Sequence, residues 1–367
     1  MNIHLRKFSN FIILPMKDTL SEITHPVAKE MKQFAEIFST ALSSTDGLLN
    51  QMLQHIMQRG GKRMRPLLTL LVAKSEYLKQ HGALYRDFMQ VKSMLSGEDK
   101  PLMFKALHAA CSLELLHTAS LVHDDVVDEA DERRGQASVN ASFNNRLAVL
   151  VGDYILSTAL MEIAKCNEPR MTEALARLGQ TLSRGEVAQQ QNISTKDFSI
   201  DNYYDVISKK TASLFEACCY LGAYAAGATE EDIVKACHFG HNIGIIFQIR
   251  DDIFDYSDSK KIGKPTGIDM REGKLTLPVL FVLNDRENAC PQEMTDIAYK
   301  IKSGDATEDE IERLIAYTIE HGGINFARHA MDEYYAKAIA YVNEDVRDEK
   351  VKNALKTYLD YVIGRDV

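Results

Sequence analysis

The chain has 367 residues, 45% of them hydrophobic and 26% charged, with only 8 prolines and 20 glycines. That balance supports a sizeable core built from long uninterrupted helices, in one large domain or two ordinary ones. A net charge of −9 excludes a general nucleic-acid binder, which shows a basic face, but leaves room for a local basic pocket.

Six cysteines stand at 111, 166, 218, 219, 237 and 290, with no C-x-x-C pair among them. Reduced thiols and a cytoplasmic location are the expectation. The N-terminal FIILP run ends at Pro15 and is too short for a signal or a span. No other stretch reaches the roughly 18 apolar residues that cross a bilayer, so no transmembrane segment is expected.

Residues 1–20 read as a tail, and 21–367 as one all-helical domain. Apolar residues at helical spacing (Val27, Met31, Phe34, Phe38, Leu42) predict two helices over 21–59, broken at SSTDG. Next comes Gly60-Gly61-Lys62-Arg63-Met64-Arg65-Pro66. Glycines free the backbone, and Pro66 suits a first helical turn. Cations at a loop-to-helix junction make a cradle for a diphosphate or, equally, a solvated basic turn. It is not a P-loop, whose glycine spacing is absent.

A helix over 67–97 turns polar after Ser75, and 75–107 reads as a possible insertion. The next helix, 102–130, starts apolar and ends in Asp124-Asp125-x-x-Asp128, followed by Arg133 and Arg134. Helices follow over 139–166, 170–192, 202–226 and 229–256, the last ending in a second D-D-x-x-D at Asp251, Asp252 and Asp255. A loop over 257–275 carries Lys264 and Lys274 among glycines. The pattern is helical again to the end, with a TEDE capping sequence at 307–310. The fold class is therefore all-α, a single bundle of about a dozen helices around a central cavity.

Either acidic cluster alone is compatible with a solvated helix end. Two copies, each closing a long apolar helix, place carboxylates across a cavity if the helices pack side by side. Hard oxygen ligands without His or Cys favour Mg²⁺, which binds through one or two carboxylates plus substrate phosphates. The separate basic sets suit a second anionic group held without metal. Apolar helix walls suggest that both substrates carry hydrocarbon.

The stretches GGKRMRP, ELLHTASLVHDDVVDEADERRG, KTA, FQIRDDIFDY and GKPTGID…GKLTLP resemble, in order, the motifs of trans-isoprenyl diphosphate synthases. The resemblance is strongest to the long-chain, octaprenyl-type enzymes that make quinone side chains, and runs over roughly residues 45–285. It implies the isoprenoid synthase fold and a homodimer. It implies that Asp124, Asp125, Asp128, Asp251, Asp252 and Asp255 serve two or three Mg²⁺ ions on the allylic diphosphate, with Asp124, Asp128, Asp251, Lys210 and Arg133 as the catalytic set. Lys62, Arg65, His117 and Arg134 then match residues that hold isopentenyl diphosphate. Arg133, Lys210, Thr211, Gln248, Lys264 and Lys274 match positions around the allylic diphosphate. The loop 257–275 would close over both.

In short-chain relatives a bulky aromatic often stands one turn before the first acidic motif. Here Ala119 and Ser120 occupy that turn, and Leu160 stands where a deeper aromatic often lies. Small residues imply an open tunnel and a product of roughly C35 to C50. Three other readings compete: a shorter-chain (farnesyl or geranylgeranyl) synthase, an inactive regulatory subunit, and an HD-type metallophosphohydrolase suggested by His123-Asp124. A regulatory subunit would have lost acidic residues, and a phosphohydrolase leaves the repeated motif unexplained.

Overall fold

The computed structural model describes residues 16–58, 60–82, 102–133, 135–195, 197–256, 266–285 and 290–364. The first half runs α1 (Met16–Thr24), α2 (Ala28–Ala41), α3 (Gly47–Gln58), α4 (Met64–His81) and α5 (Leu102–Val127). A two-residue ribbon, β1 (Glu132–Arg133) and β2 (Gln136–Ala137), leads to α6 (Val139–Phe143), α7 (Asn145–Ala164) and α8 (Pro169–Ser194). Then come α9 (Ile200–Ile207), a π-helical segment (Ser208–Ala212), α10 (Ser213–Ala225) and α11 (Glu230–Phe254). The chain closes with α12 (Ile268–Arg271), α13 (Leu277–Leu283), α14 (Gln292–Ser303), α15 (Glu308–Glu320), α16 (Gly323–Glu344) and α17 (Glu349–Ile363).

The all-α expectation holds: the two-residue ribbon is the whole of the β structure among the described residues. Helix starts at Met16 rather than at residue 21. Of the possible insertion 75–107, residues 75–81 continue α4 and 103–107 belong to the first turns of α5; 83–101 lie outside the described residues.

Three expected helices are divided or shortened for local reasons. The helix expected over 139–166 breaks at Asn144, which adopts φ 108° and whose side chain accepts a hydrogen bond from the Leu147 amide. That amide would otherwise be an orphan of the first turn. The helix expected over 202–226 passes through the π-helical segment between α9 and α10. Helix α5 stops at Val127 because Glu129 turns left-handed, at φ 49°. At Thr307 the anticipated capping box is present, Thr307 and Glu310 each capping the other's backbone amide.

Helix α5 is apolar almost all round, as a central helix must be. It packs on α7, α10, α4 and α2, and Leu113, Leu115, Ala109 and Ala110 are fully buried. Helix α11 lies against α10, the π segment, α16 and α17. Two glycines permit that approach. A Cβ at Gly240 would stand 2.4 Å from the Phe215 carbonyl oxygen, and one at Gly244 would stand 2.3 Å from Ala212 Cα. Real side chains do not tolerate such contacts, so these glycines set the separation of α11 from α10 and the π segment.

Candidate active site

The first acidic motif straddles the end of α5. Asp124 is half-buried, Asp125 fully buried and Asp128 exposed just beyond the helix. Arg133 returns from the β-ribbon and donates from Nε to Asp125 Oδ1. Burial pushes the Asp124 pKa up to about 6; Glu186 and Asp128 push the same way, while Lys210 and Arg133 oppose them. A half-buried carboxylate that feels both Asp128 and Glu186 is stabilised by a nearby cation.

The second motif repeats the spacing but not the geometry. Asp251 is exposed and pairs with Arg250 Nη2. Asp252, 2% exposed, accepts from Tyr203 Oη at 2.5 Å and from Gln248 Nε2 at 2.8 Å. Asp255 turns to the backbone amides of Ile268 (2.9 Å) and Asp269 (3.2 Å), at the start of α12. Burial, with Asp269 nearby, holds Asp252 well above the ordinary carboxylate range. Burial, with Asp255 nearby, pushes Asp269 up to about 7.

Of the six aspartates taken together from the sequence, Asp125, Asp252 and Asp255 are therefore occupied by protein partners. Asp124 and Asp128 have carboxylates that remain for a ligand, and Asp251, paired through Oδ1 with Arg250, keeps an exposed second oxygen. The two sets face each other through intermediates: Lys274 feels both Asp128 and Asp269, and Asp269 in turn feels Asp251. Among the described residues no three His, Cys, Asp or Glu side chains close on one point as a complete metal cage. Magnesium takes one or two carboxylates and completes its octahedron with water and phosphate oxygens. The donor set is all oxygen and carries excess negative charge, so it fits the ion.

Two cavities open on either side of α11. The larger, about 360 Å³, is lined by Gly60, Gly61, Lys62, Arg65, His117, Arg133, Phe247, Arg250, Asp251 and Tyr361, among others. Lys62 Nζ stands 5.3 Å from the Tyr361 ring centre, and the Arg65 guanidinium 5.3 Å from that of Phe215. Arg65 Nε is buried with no hydrogen-bond partner, which fits an anion-binding role. Arg63 differs from its neighbours. It pairs with Glu114 at 2.6 Å and lies over Phe38, so its charge is already matched.

The smaller cavity, about 240 Å³, is lined by Gln189, Tyr203, Lys210, Thr211, Gln248, Asp252, Asp269 and Lys274, among others. The π segment presents Lys210 and Thr211 to it. Lys210 Nζ pairs with Glu186 at 2.5 Å and reaches Gln189 at 3.2 Å; Thr211 Oγ1 donates to Gln248 at 2.7 Å. A Cβ at Gly185 would stand 2.9 Å from the Lys210 amide nitrogen, so a glycine there lets α8 approach the π segment. Lys274 pairs with Glu272 at 2.6 Å. Burial would lower its pKa, but Glu272, Asp128 and Asp269 outweigh that and raise it.

Arg134 and Lys264 lie outside the described residues, as does 257–265 of the expected closing loop. Ala119 is buried, and Ser120 is half-buried with its hydroxyl on the His117 carbonyl. Leu160 needs correction as a tunnel residue. Helix α7 turns Val151, Ile155, Ala159 and Ile163 inward, leaving Leu160 41% exposed beside Met161 at 66%. By length and composition α7 is apolar enough to cross a membrane, a test that the core helices of bundles also meet; its inner face packs on α5.

Sequence reasoning missed Glu186, Tyr203, Asp269 and Arg250. Only the polar run at Gln189–Gln191, breaking the end of an otherwise regular helix, hinted that α8 faces polar chemistry.

Comparison with known proteins points the same way. The polyprenyl synthetase family profile matches residues 46–318. A heptaprenyl diphosphate synthase component 2 from Geobacillus stearothermophilus is 35% identical, over 83% of this chain and 90% of its own. An octaprenyl diphosphate synthase from Haemophilus influenzae is 34% identical, over 92% and 94%. The crystal structure of a geranylgeranyl pyrophosphate synthase from Bacteroides thetaiotaomicron is 42% identical, with a TM-score of 0.76, covering 95% of this chain and 100% of that one.

Proposed function

The chain belongs to the polyprenyl synthetase family, and from that membership we propose how it joins isopentenyl diphosphate to an allylic prenyl diphosphate. The reaction gives a long-chain trans-polyprenyl diphosphate and free diphosphate. One observation carries the assignment of sites. The end of α11 is shared between the two cavities: Phe247, Arg250 and Asp251 line the larger, Gln248 and Asp252 the smaller. Two cation-lined cavities sharing one wall suit two diphosphate substrates whose reacting carbons must meet.

Lys62, Arg65 and His117 hold isopentenyl diphosphate at the larger cavity; Arg134, outside the described residues, joins them by the resemblance alone. Lys210 and Lys274 hold the allylic diphosphate at the smaller cavity, where Thr211 and Gln248, hydrogen-bonded to each other, line the wall, and Arg133 approaches it from the larger cavity. Asp124, Asp128 and Asp251 would hold two or three magnesium ions, which neutralise the leaving group's charge when bound. Lys210 and Arg133 stabilise the oxygen that leaves with the electron pair of the allylic C–O bond. The double bond of isopentenyl diphosphate then forms the new C–C bond. A proton departs to the released diphosphate, since no side chain with a free basic atom is needed. Phe215, Phe247 and Leu121 wall the larger cavity and exclude water from the cation.

Incubating the purified protein with Mg²⁺, labelled isopentenyl diphosphate and a series of allylic primers tests the reaction. Inactivity of the lone protein favours a two-component synthase, and phosphate release without condensation favours a phosphohydrolase. Small residues at Ala119 and Ser120 support a product of roughly C35 to C50. A C20 product is the second reading, favoured by the 42% identical structure. Ala119→Tyr is expected to shorten a long product by several isoprene units; an unchanged product spectrum removes Ala119 from the tunnel. The exposed apolar face of α7, with Val149, Leu150, Leu160 and Met161, serves as a homodimer interface. Sedimentation of Met161→Arg, expected to be monomeric, checks it. Six free cysteines support a cytoplasmic setting.

A further inference from the structure

We propose that Arg250 is a positioning residue that couples the metal end of the site to the isopentenyl diphosphate end. This rests on the roles assigned above to Asp251 and Lys62. Arg250 is 4% exposed, yet lies next to an exposed carboxylate. Its Nη2 donates to Asp251 Oδ1, and its Nη1 donates to the backbone carbonyl of Val362. The guanidinium carbon sits 5.0 Å from the Phe247 ring centre and 5.4 Å from that of Phe254.

Each contact has a physical reason. Val362 is in the last turn of α17, where carbonyls lack intrahelical donors and the helix dipole is negative. A cation there caps the helix. A buried guanidinium is tolerable only when paired, and its planar fork serves two acceptors at once. The ring faces add attraction without competing for its hydrogen bonds.

The preceding residue on α17, Tyr361, carries the ring that faces Lys62. A continuous path therefore runs from Asp251 through Arg250 and the Val362 backbone to Tyr361 and Lys62. Whatever draws Asp251 towards a cation changes the charge that Arg250 faces, and with it the anchoring of the last turn of α17. Occupancy at Asp251 then alters affinity at Lys62, and linkage makes the effect reciprocal.

The test is steady-state kinetics of the full-length protein with Mg²⁺, an allylic primer and isopentenyl diphosphate, together with calorimetric titration of isopentenyl diphosphate into the protein with and without Mg²⁺, which reads affinity without turnover. Arg250→Met keeps an apolar body between the two rings and removes the fork. It is expected to raise both the Mg²⁺ concentration for half-maximal rate and the KM for isopentenyl diphosphate by about tenfold. Arg250→Lys supplies one point charge. It is expected to restore the Mg²⁺ requirement to within about twofold while the KM for isopentenyl diphosphate stays raised. Thermal unfolding identifies a variant that fails to fold; should Arg250→Met do so, Arg250→Lys decides. A folded variant with an unchanged KM for isopentenyl diphosphate overturns the proposal, even if kcat falls. Wild-type protein that does not condense the substrates refutes the proposed function instead.

Discussion

The two D-D-x-x-D motifs have identical spacing and different fates. On α5, the middle aspartate is tied to Arg133, and the outer two, Asp124 and Asp128, remain near Lys210 and Lys274. On α11, both Asp252 and Asp255 are consumed by the protein, and Asp251, though exposed, is paired with Arg250. The path of the chain beyond each helix accounts for the difference. After α5 the chain makes a short ribbon that returns one arginine. After α11 it returns as α12, whose first amides lack acceptors and take Asp255. Among the described residues, a repeated motif thus leaves two carboxylates without a side-chain partner on one side, and on the other a single exposed one held by an arginine.

The comparison breaks most visibly in the third aspartates. Asp128→Asn removes a ligand and is expected to lower kcat by roughly 10²- to 10³-fold. Asp255→Asn removes an amide acceptor at the start of α12, and a loss of about tenfold is expected, with a lower melting temperature. Steady-state kinetics over a Mg²⁺ series separates the two. Equal losses, with equal increases in Mg²⁺ requirement, make the motifs equivalent and the distinction wrong.

A smaller effect sharpens the second aspartates. Tyr203→Phe leaves Asp252 Oδ2 buried without its hydroxyl donor, at a cost of about 1–3 kcal/mol in stability. Asp252 also receives Gln248, which receives Thr211, so the loosened carboxylate disturbs the allylic cavity as well. Chemical denaturation measures the first consequence and the KM for the allylic diphosphate the second. On the α5 side no tyrosine plays this part, and Arg133 supplies a full charge instead.

How far the sequence foretold this depends on what determines each feature. Helix type and the acidic pairs were legible because periodicity and spacing are local. The capping box at Thr307 was legible for the same reason. The π segment was not, since Ser208–Ala212 carries no signal that distinguishes i→i+5 from i→i+4 bonding. Nor was the burial of Asp125 and Asp252, because their partners Arg133 and Tyr203 are fixed by where chains turn and pack. Leu160 failed on a helical face: inward and outward residues of α7 are all apolar, so hydrophobicity alone does not say which side meets α5. Arg250 was hidden for the opposite reason, a charge buried at the end of an apolar helix where solvent was the natural assumption.

The smallest expected effect concerns acidity on the α11 side. Asp269 has a pKa pushed up to about 7 by burial and by Asp255, against an ordinary 3.8. The folded chain then binds this proton more tightly than the unfolded chain. Stability is therefore full below about pH 4 and falls as pH rises towards 7, where the buried group must ionise. Asp269→Asn removes that titration. In metal-free protein the variant is expected to melt higher than wild type at pH 7.5, with the gap shrinking steadily as pH falls towards 4. Adding Mg²⁺ and an allylic diphosphate analogue should close the gap at pH 7.5, since bound cations favour the ionised carboxylate. Asp124, pushed up to about 6, completes its loss of stability at lower pH. Thermal scans of Asp124→Asn and Asp269→Asn at stepped pH should therefore separate at different points. Coincident curves would mean that the two motifs share one electrostatic environment after all.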